Sequence, residues 1–420
     1  MVDIVVVGGG AAGLGAAGRL GAARQNFVVL EARQRLGGRA HSVMTAPGHP
    51  VDVGCEWLHS ADRNPWVEIA RRLGFAIDET LPDWGRRVAW HEGDAAQEEW
   101  FAAREAFDER CDRAAASEAD MPESALLEPG GRWNALIGAI STWANGTELE
   151  NVSVKDHAAY VNTALNWRAL RGYGALLEAY GADLPVRRGC IVERIDHGGR
   201  TIRIVTNQGD ISARAAIVTV STNIIAAEGI RFHPALPDKL AAAAGLPLGI
   251  ANKVFLGFAG APESLPRDRH LTGRIDRVAT GNYQLRPHGW PIISSYFGGL
   301  LATELERDGP AAMAAFAIDE LVGLLGGEVR RLLTPIAHSA WVGDPFARGS
   351  YSCALPGHQG DRARLAAPVD RRLYFAGEAY AGEFFGTAHG AYLTGVAAAE
   401  QAMAAVANAS DRAAAHAPGA

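Results

Sequence analysis

The first forty residues constrain this chain more than any other stretch. Ile4-Val5-Val6-Val7 is a run of β-branched residues set directly before glycines, the pattern of a strand buried on both faces of a parallel sheet. Gly8, Gly10 and Gly13 then fit G-x-G-x-x-G. One glycine turns the chain, one lets backbone approach a pyrophosphate, and one lets a helix lie close to the strand. The Ala-rich segment to Ala23, with Ala12 in its first turn, reads as that helix, its N-terminal amides and dipole facing phosphates. Phe27 to Leu30 supplies a second strand, and Glu31 closes it where a carboxylate accepts hydrogen bonds from ribose hydroxyls. The expected ligand is an adenine dinucleotide without a 2′-phosphate. A glycine triplet alone also marks tight turns in unrelated α/β domains; strand, turn, helix, strand and acid in order make the reading specific.

Leu36-Gly37-Gly38-Arg39 follows at once, two more glycines and an arginine able to neutralise a pyrophosphate from a second loop. Together with Glu31-Ala32-Arg33 this segment resembles the flavin amine oxidase superfamily, whose first strand-helix-strand unit ends E-A-R-x-x-x-G-G-R. The resemblance implies FAD rather than NAD. It also implies an α/β fold: a Rossmann-type FAD-binding domain, parallel sheet plus β-meander, with an inserted α+β substrate domain. The expected division is 1–74, 167–245 and 340–410 for the FAD domain, 75–166 and 246–339 for the substrate domain, and a frayed tail at 411–420.

Composition sets outer bounds. With 48% apolar and 21% charged residues in 420, the chain has material for two sizeable cores and is not of the disordered class. A net charge of −7 with scattered basic residues argues against nucleic acid or an anionic membrane as partner. Cys55, Cys111, Cys190 and Cys353 show no metal-ligand spacing and suit a reducing, cytoplasmic setting. No apolar run approaches the ~20 residues of a membrane span. The expected partners are a small-molecule amine and oxygen, with no metal, no nucleic acid and no membrane, in a monomer or homodimer.

Val51 to His59 alternates like a strand and then ends in bulky polar and aromatic residues. With Asn64-Pro65 it is similar to the G-A-H-W-I-H-G…N-P segment of polyamine oxidases, matching at Gly54, Trp57 and His59, while Glu56 stands where that family has histidine. The resemblance puts Gly54, Cys55, Glu56 and Trp57 against the cofactor and offers Glu56 and His59 to a second amino group of the substrate. A satisfied core histidine and an outward glutamate are the plainer alternatives. From Phe75 to Asn166 the chain reads as tryptophan-dotted helices, Ala95 to Ala116 among them, layered over a substrate cavity.

Pro185 to Ile195, Thr201 to Thr206 and Ile211 to Val220 read as a meander of short strands. Val192 lies where superfamily relatives hold adenine, or is simply a strand core residue. Ala251 to Phe258 is an apolar strand interrupted by Lys253, and a buried ammonium is costly unless something pairs with it. The segment Pro247 to Val254 resembles the superfamily's P-L/M-G-x-x-x-K-V, which implies that Lys253 is catalytic and holds a water beside the flavin's reactive nitrogen.

Trp341 to Tyr351 resembles W-x-x-D-P-x-x-x-G-S-Y of polyamine oxidases. The likeness makes Trp341 a wall of the flavin pocket and Tyr351 one half of an aromatic substrate cage, with Thr387 in place of its second tyrosine. Monoamine oxidases attach FAD through a cysteine at the position of Ser350; serine forms no thioether, so a non-covalent flavin is expected, with Cys353 a misplaced alternative. Finally Gly377-Glu378 and Thr387-Ala388 match the superfamily's C-terminal cofactor motif.

The implied activity is hydride transfer from an amine α-carbon to FAD, giving an imine and, on reoxidation, hydrogen peroxide. A polyamine or another primary or secondary amine is the expected substrate. An L-amino-acid oxidase with Arg348 as carboxylate clamp, an isoprenoid desaturase, and a non-catalytic FAD-containing binding protein are the alternatives.

Overall fold

The computed structural model describes residues 1–46, 48–260 and 265–415. Val2–Val7 pairs in parallel with Phe27–Glu31 on one side and with Ile211–Val218 on the other. Its residues alternate between two cores. Ile4 and Val6 pack with Ala16, Ala17 and Leu20 of helix Ala11–Ala22 and with Ala398, Ala399 and Ala402 of helix Ala388–Ala415. Val5 and Val7 pack with Ile195, Ile202 and Ile204 on the opposite face. Burial on both faces is what the unbroken β-branched run specifies.

The sheet has eight strands, and Ile211–Val218 is its pivot. Its first half pairs antiparallel with Ile202–Thr206, beginning the meander, and its second half pairs in parallel with Leu373–Phe375. One departure from the sequence reading concerns Pro185 to Ile195, which splits in two. Val186–Arg188 extends the parallel sheet beside Phe27–Glu31, and only Val192–Asp196 joins the meander. Between them the amides of Gly189 and Cys190 bond to the carbonyls of Arg33 and Glu31, pinning the crossing.

A second sheet of five antiparallel strands runs Arg269–Thr272, Asn282–Leu285, Ile292–Gly298, Ala251–Phe258, Leu333–His338. Helices Gly299–Asp308 and Pro310–Leu325 cover one face through Ala302, Met313, Ala317 and Leu321. The tryptophan-dotted layer contains helices Asp94–Ala115 and Asn134–Ala144, joined by Trp100, Phe107, Trp133 and Ile137.

Two further expectations need correction. Val51 to His59 is not one strand: Pro50–Asp52 and Trp57–Leu58 are separated by a bend at Gly54, where a Cβ would lie 1.9 Å from the carbonyl oxygen of Arg39. The tail expected to fray from 411 continues as helix Ala388–Ala415, whose alanines favour helix; residues 416–420 lie outside the described residues.

Candidate active site

A cavity of about 690 Å³ runs from the glycine turn after Val7 to the inner strands of the second sheet, well within the range for small-molecule sites. At its first end, helix Ala11–Ala22 opens beside Gly10 with no side-chain cap, so its first amides face the cavity with the positive end of the dipole. Gly10 and Gly38 face one another, and a Cβ on Gly38 would lie 3.2 Å from the Gly10 Cα. Gly8, Ala12, Glu31, Arg33, Gly38 and Arg39 all line this end. Gly13 stands behind the wall, where a Cβ would meet the Gly8 carbonyl oxygen at 1.9 Å. Its role is the close approach of helix to strand.

The charged groups here hold the loops together. Glu31 accepts hydrogen bonds from the amides of Gly9 at 2.6 Å and Arg33 at 2.8 Å. Arg33 pairs with Asp344 and lies over Phe346. Arg39 bonds the Ser350 carbonyl at 2.8 Å and Glu378 at 2.7 Å, and Glu378 also accepts from the Ser352 hydroxyl at 2.6 Å. Burial would raise the Glu378 carboxyl, but Arg39 and these bonds outweigh it and hold it ionised. Val192, Ile224 and Ile230 line the far nucleotide end. An uncapped helix N-terminus, facing glycines and a buried acid in one elongated cavity fit a flavin adenine dinucleotide.

Lys253 lies at the other end, on a strand buried along almost its whole length. Its ammonium donates to the Asp52 carbonyl at 2.9 Å and to the Glu56 carboxylate at 2.9 Å. Glu56, which the sequence offered to a substrate amine, is therefore engaged by the protein itself, with the Arg168 guanidinium 3.9 Å away. Burial would raise the Glu56 carboxyl, but Lys253 and Arg168 hold it down at about 2. The same pairing raises Lys253 against the lowering effect of burial. Arg168 in turn is gripped by Asp78 at 2.8 Å and Asp268 at 2.9 Å.

The other expected residues converge here. Gly54, Cys55, Glu56, Trp57, His59, Trp341, Tyr351, Gly377, Glu378, Thr387 and Ala388 all line the cavity. His59 Nδ1 lies 2.7 Å from Asn166 Oδ1, and burial keeps its imidazole below the ordinary value and neutral. Thr387 donates to the Phe384 carbonyl at 2.6 Å and accepts from the Gly390 amide at 3.0 Å, fixing the start of the C-terminal helix. Ser350 Oγ bridges the Ala251 amide and carbonyl at 2.8 and 3.0 Å. Cys353 Sγ points to the Asn151 carbonyl instead.

Several groups escaped the sequence reading. Tyr296, directly across the sheet from Lys253, has its hydroxyl 2.8 Å from that of Tyr351, which donates to the Trp143 carbonyl at 2.5 Å. Trp84, Arg87, Trp143 and His270 complete the end away from the dinucleotide, with the Arg87 guanidinium 5.3 Å from the Trp143 ring centroid. The density of tryptophans in this layer was the available signal; nothing in spacing marked Arg87 or Tyr296. Arg348, the candidate carboxylate clamp, is exposed. Among the described residues no helix is long and apolar enough to cross a membrane, and no cluster of metal-ligating side chains occurs.

Comparison with known proteins agrees with this geometry. "Polyamine oxidase 5" of Oryza sativa subsp. japonica is 31% identical over 95% of this chain and 87% of its own length. In structure, cyclohexylamine oxidase from Brevibacterium oxydans matches with TM-score 0.78 at 19% identity, over 97% of this chain and 99% of that one. A putrescine oxidase bound to putrescine matches with TM-score 0.80 at 17% identity, over 96% and 99%. These two structural likenesses establish the fold. The family model for flavin containing amine oxidoreductases matches residues 11–162 and 154–403, and the chain belongs to that family.

Proposed function

We propose that this protein is an FAD-dependent oxidase that takes hydride from the α-carbon of an amine, with Lys253 as the catalytic side chain beside the redox centre. Bound FAD supplies the hydride acceptor, and oxygen regenerates it with release of hydrogen peroxide. The observation that carries this reading is the buried Lys253–Glu56 pair, set into the wall of the cavity that begins at the glycine turn.

The chain's own residues define the rest. Gly8, Gly10, Ala12, Gly38 and Arg39 receive the pyrophosphate, Glu31 the ribose and Val192 the adenine side, while Gly377, Glu378 and Ala388 flank the flavin end. Gly54, Cys55, Trp57 and Trp341 form walls against the ring. Asp52 and Glu56 hold Lys253 charged and aimed, so a donor of fixed position faces the cavity. Amines with a pKa near ~10 arrive protonated and react only when neutral. Apolar walls from Trp57, Trp84 and Trp143 disfavour the charged form and shift the bound amine toward reactivity. Tyr351, His59 and Thr387 shape the passage beside it. The division into an FAD part, 1–74, 167–245 and 340–410, and a substrate part, 75–166 and 246–339, follows from this assignment. A cytoplasmic setting suits four unpaired thiols.

The flavin is held without a covalent bond, because Ser350 occupies the attachment position and Cys353 is turned away. Acid precipitation releases all flavin into the supernatant if this is right; yellow protein in the pellet overturns it. A peroxide-coupled screen of amines on the FAD-loaded protein tests the activity. Peroxide from at least one class of amine is expected, and none from any class refutes amine oxidation.

A further inference from the structure

Resting on the amine-oxidation reading, we propose that the substrate is an amine carrying a carboxylate several bonds from the oxidised carbon, and that Arg87 selects it. The charges on the cavity wall are unevenly compensated. Its three acids are all engaged: Glu31 by the Gly9 and Arg33 amides, Glu56 by Lys253, Glu378 by Arg39. A chain bearing several ammonium groups would give up hydration for each of them and find no uncommitted carboxylate among the described lining residues.

The cations differ. Arg33, Arg39 and Lys253 are each paired with an acid, and Arg348 lies in the lining beside Phe346 and Ala347 but is exposed to solvent. Among the described residues Arg87, which lines the cavity, has no carboxylate within ion-pair distance and no side-chain hydrogen bond; its guanidinium lies over Trp143. The acid that acts on it from a distance, Asp83, is itself bonded to Arg269 at 2.6 Å, and a second guanidinium, Arg104, adds positive potential. Burial, the largest influence, brings Arg87 down to about 10, so it remains charged at neutral pH. Its neighbour His270 has Nε2 buried without a partner among the described residues, and burial lowers that imidazole to about 4, leaving it neutral. Arg87 therefore carries the uncompensated charge at this end, and a planar guanidinium is the group best suited to a carboxylate.

Distance from the reacting carbon follows from the succession of side chains. Tyr296 faces Lys253 across the sheet, Tyr351 bonds Tyr296, Trp143 accepts from Tyr351, and Arg87 lies on Trp143. Lys253 and Arg87 share no contact and are linked through Tyr296, Tyr351 and Trp143 on one side and through Glu56 and His270 on the other, while Trp57 and Trp84 add apolar wall for a methylene chain.

A matched six-carbon series tests this: hexylamine, the diamine with an amino group at each end, and the ω-amino acid. The wild-type holoenzyme is expected to favour the ω-amino acid over the diamine in kcat/KM by about tenfold or more, the scale of one charge-assisted hydrogen bond. Arg87→Gln, checked for unchanged FAD content, should cut the ratio of ω-amino acid to hexylamine by a similar factor, Arg87→Lys should restore part of it, and Arg87→Glu should shift preference to the diamine. Titration of hexanoate into oxidised holoenzyme, followed by perturbation of the flavin spectrum, reads the subsite without turnover. Weaker binding by about tenfold in Arg87→Gln supports the assignment even where no amine is oxidised, a result that would sink only the amine-oxidase reading. The assignment is overturned by a diamine or an α-amino acid outranking the ω-amino acid, or by equal hexanoate binding in the two proteins.

Discussion

The two ends of the cavity are built by different means. At the dinucleotide end, backbone does the work: Gly8, Gly10 and Gly38 approach the cavity because they lack side chains, and the helix at Ala11 presents its own amides. At the opposite end, side chains from separate regions do it: Trp84, Arg87 and Trp143 from the helical layer, His270 and Tyr296 from the second sheet, Tyr351 and Thr387 from the returning C-terminal part. Backbone recognition needs particular residues at particular spacings, whereas a wall of side chains needs only volume and polarity at points that the fold brings together. The first end is thus common to a family, and the second is free to vary with substrate.

Substitutions can sharpen or break that contrast. The largest effect is expected at the junction of the two ends. Glu56→Gln leaves the Lys253 ammonium buried without its anion and should destabilise the fold by about 3–5 kcal/mol, read by denaturant unfolding. The sign with pH is fixed by the folded value of about 2 against the ordinary 4.5. Because Glu56 is depressed, its contribution is complete above pH 4.5 and fades toward pH 2, so the gap between wild type and variant should narrow on acidification over that range. A pH-independent gap would contradict the pairing.

Next in size, Lys253→Met should retain FAD yet slow flavin reduction or reoxidation by about a hundredfold or more, as loss of one preorganised charged donor does elsewhere. Unchanged rates for both steps, measured by rapid mixing, would remove Lys253 from the chemistry. Smallest is Tyr296→Phe, which deletes the 2.8 Å contact with Tyr351 at the aromatic end. It should cost about 1 kcal/mol of stability and alter KM rather than FAD content. A variant that loses FAD would mean that the two ends are not separable.

The same contrast explains what the sequence disclosed. The strand-turn-helix-strand unit, Glu31, Arg39, Lys253, Glu378 and the Thr387-Ala388 helix start lie in short segments whose spacing is itself the signal, and all line one cavity. The Lys253–Glu56 pair was not legible, although each partner was singled out, because 197 positions separate them and only the fold sets them 2.9 Å apart. Arg87 and Tyr296 were invisible for a related reason: one sits in a loop of no regular pattern and the other on a buried strand where a tyrosine reads as core. Gly54 shows how alternation misleads. Its strand-like surroundings conceal a bend forced by the Arg39 backbone.

The central claim is that the glycine-built end and the Lys253 end hold one flavin to which an amine can yield hydride. Anaerobic mixing of the FAD-loaded protein with amines tests it most directly. Bleaching of the oxidised flavin absorbance by an amine, and its return when oxygen is admitted, is the predicted result. Protein that binds no FAD, or bound flavin that keeps its colour with every class of amine, would contradict it.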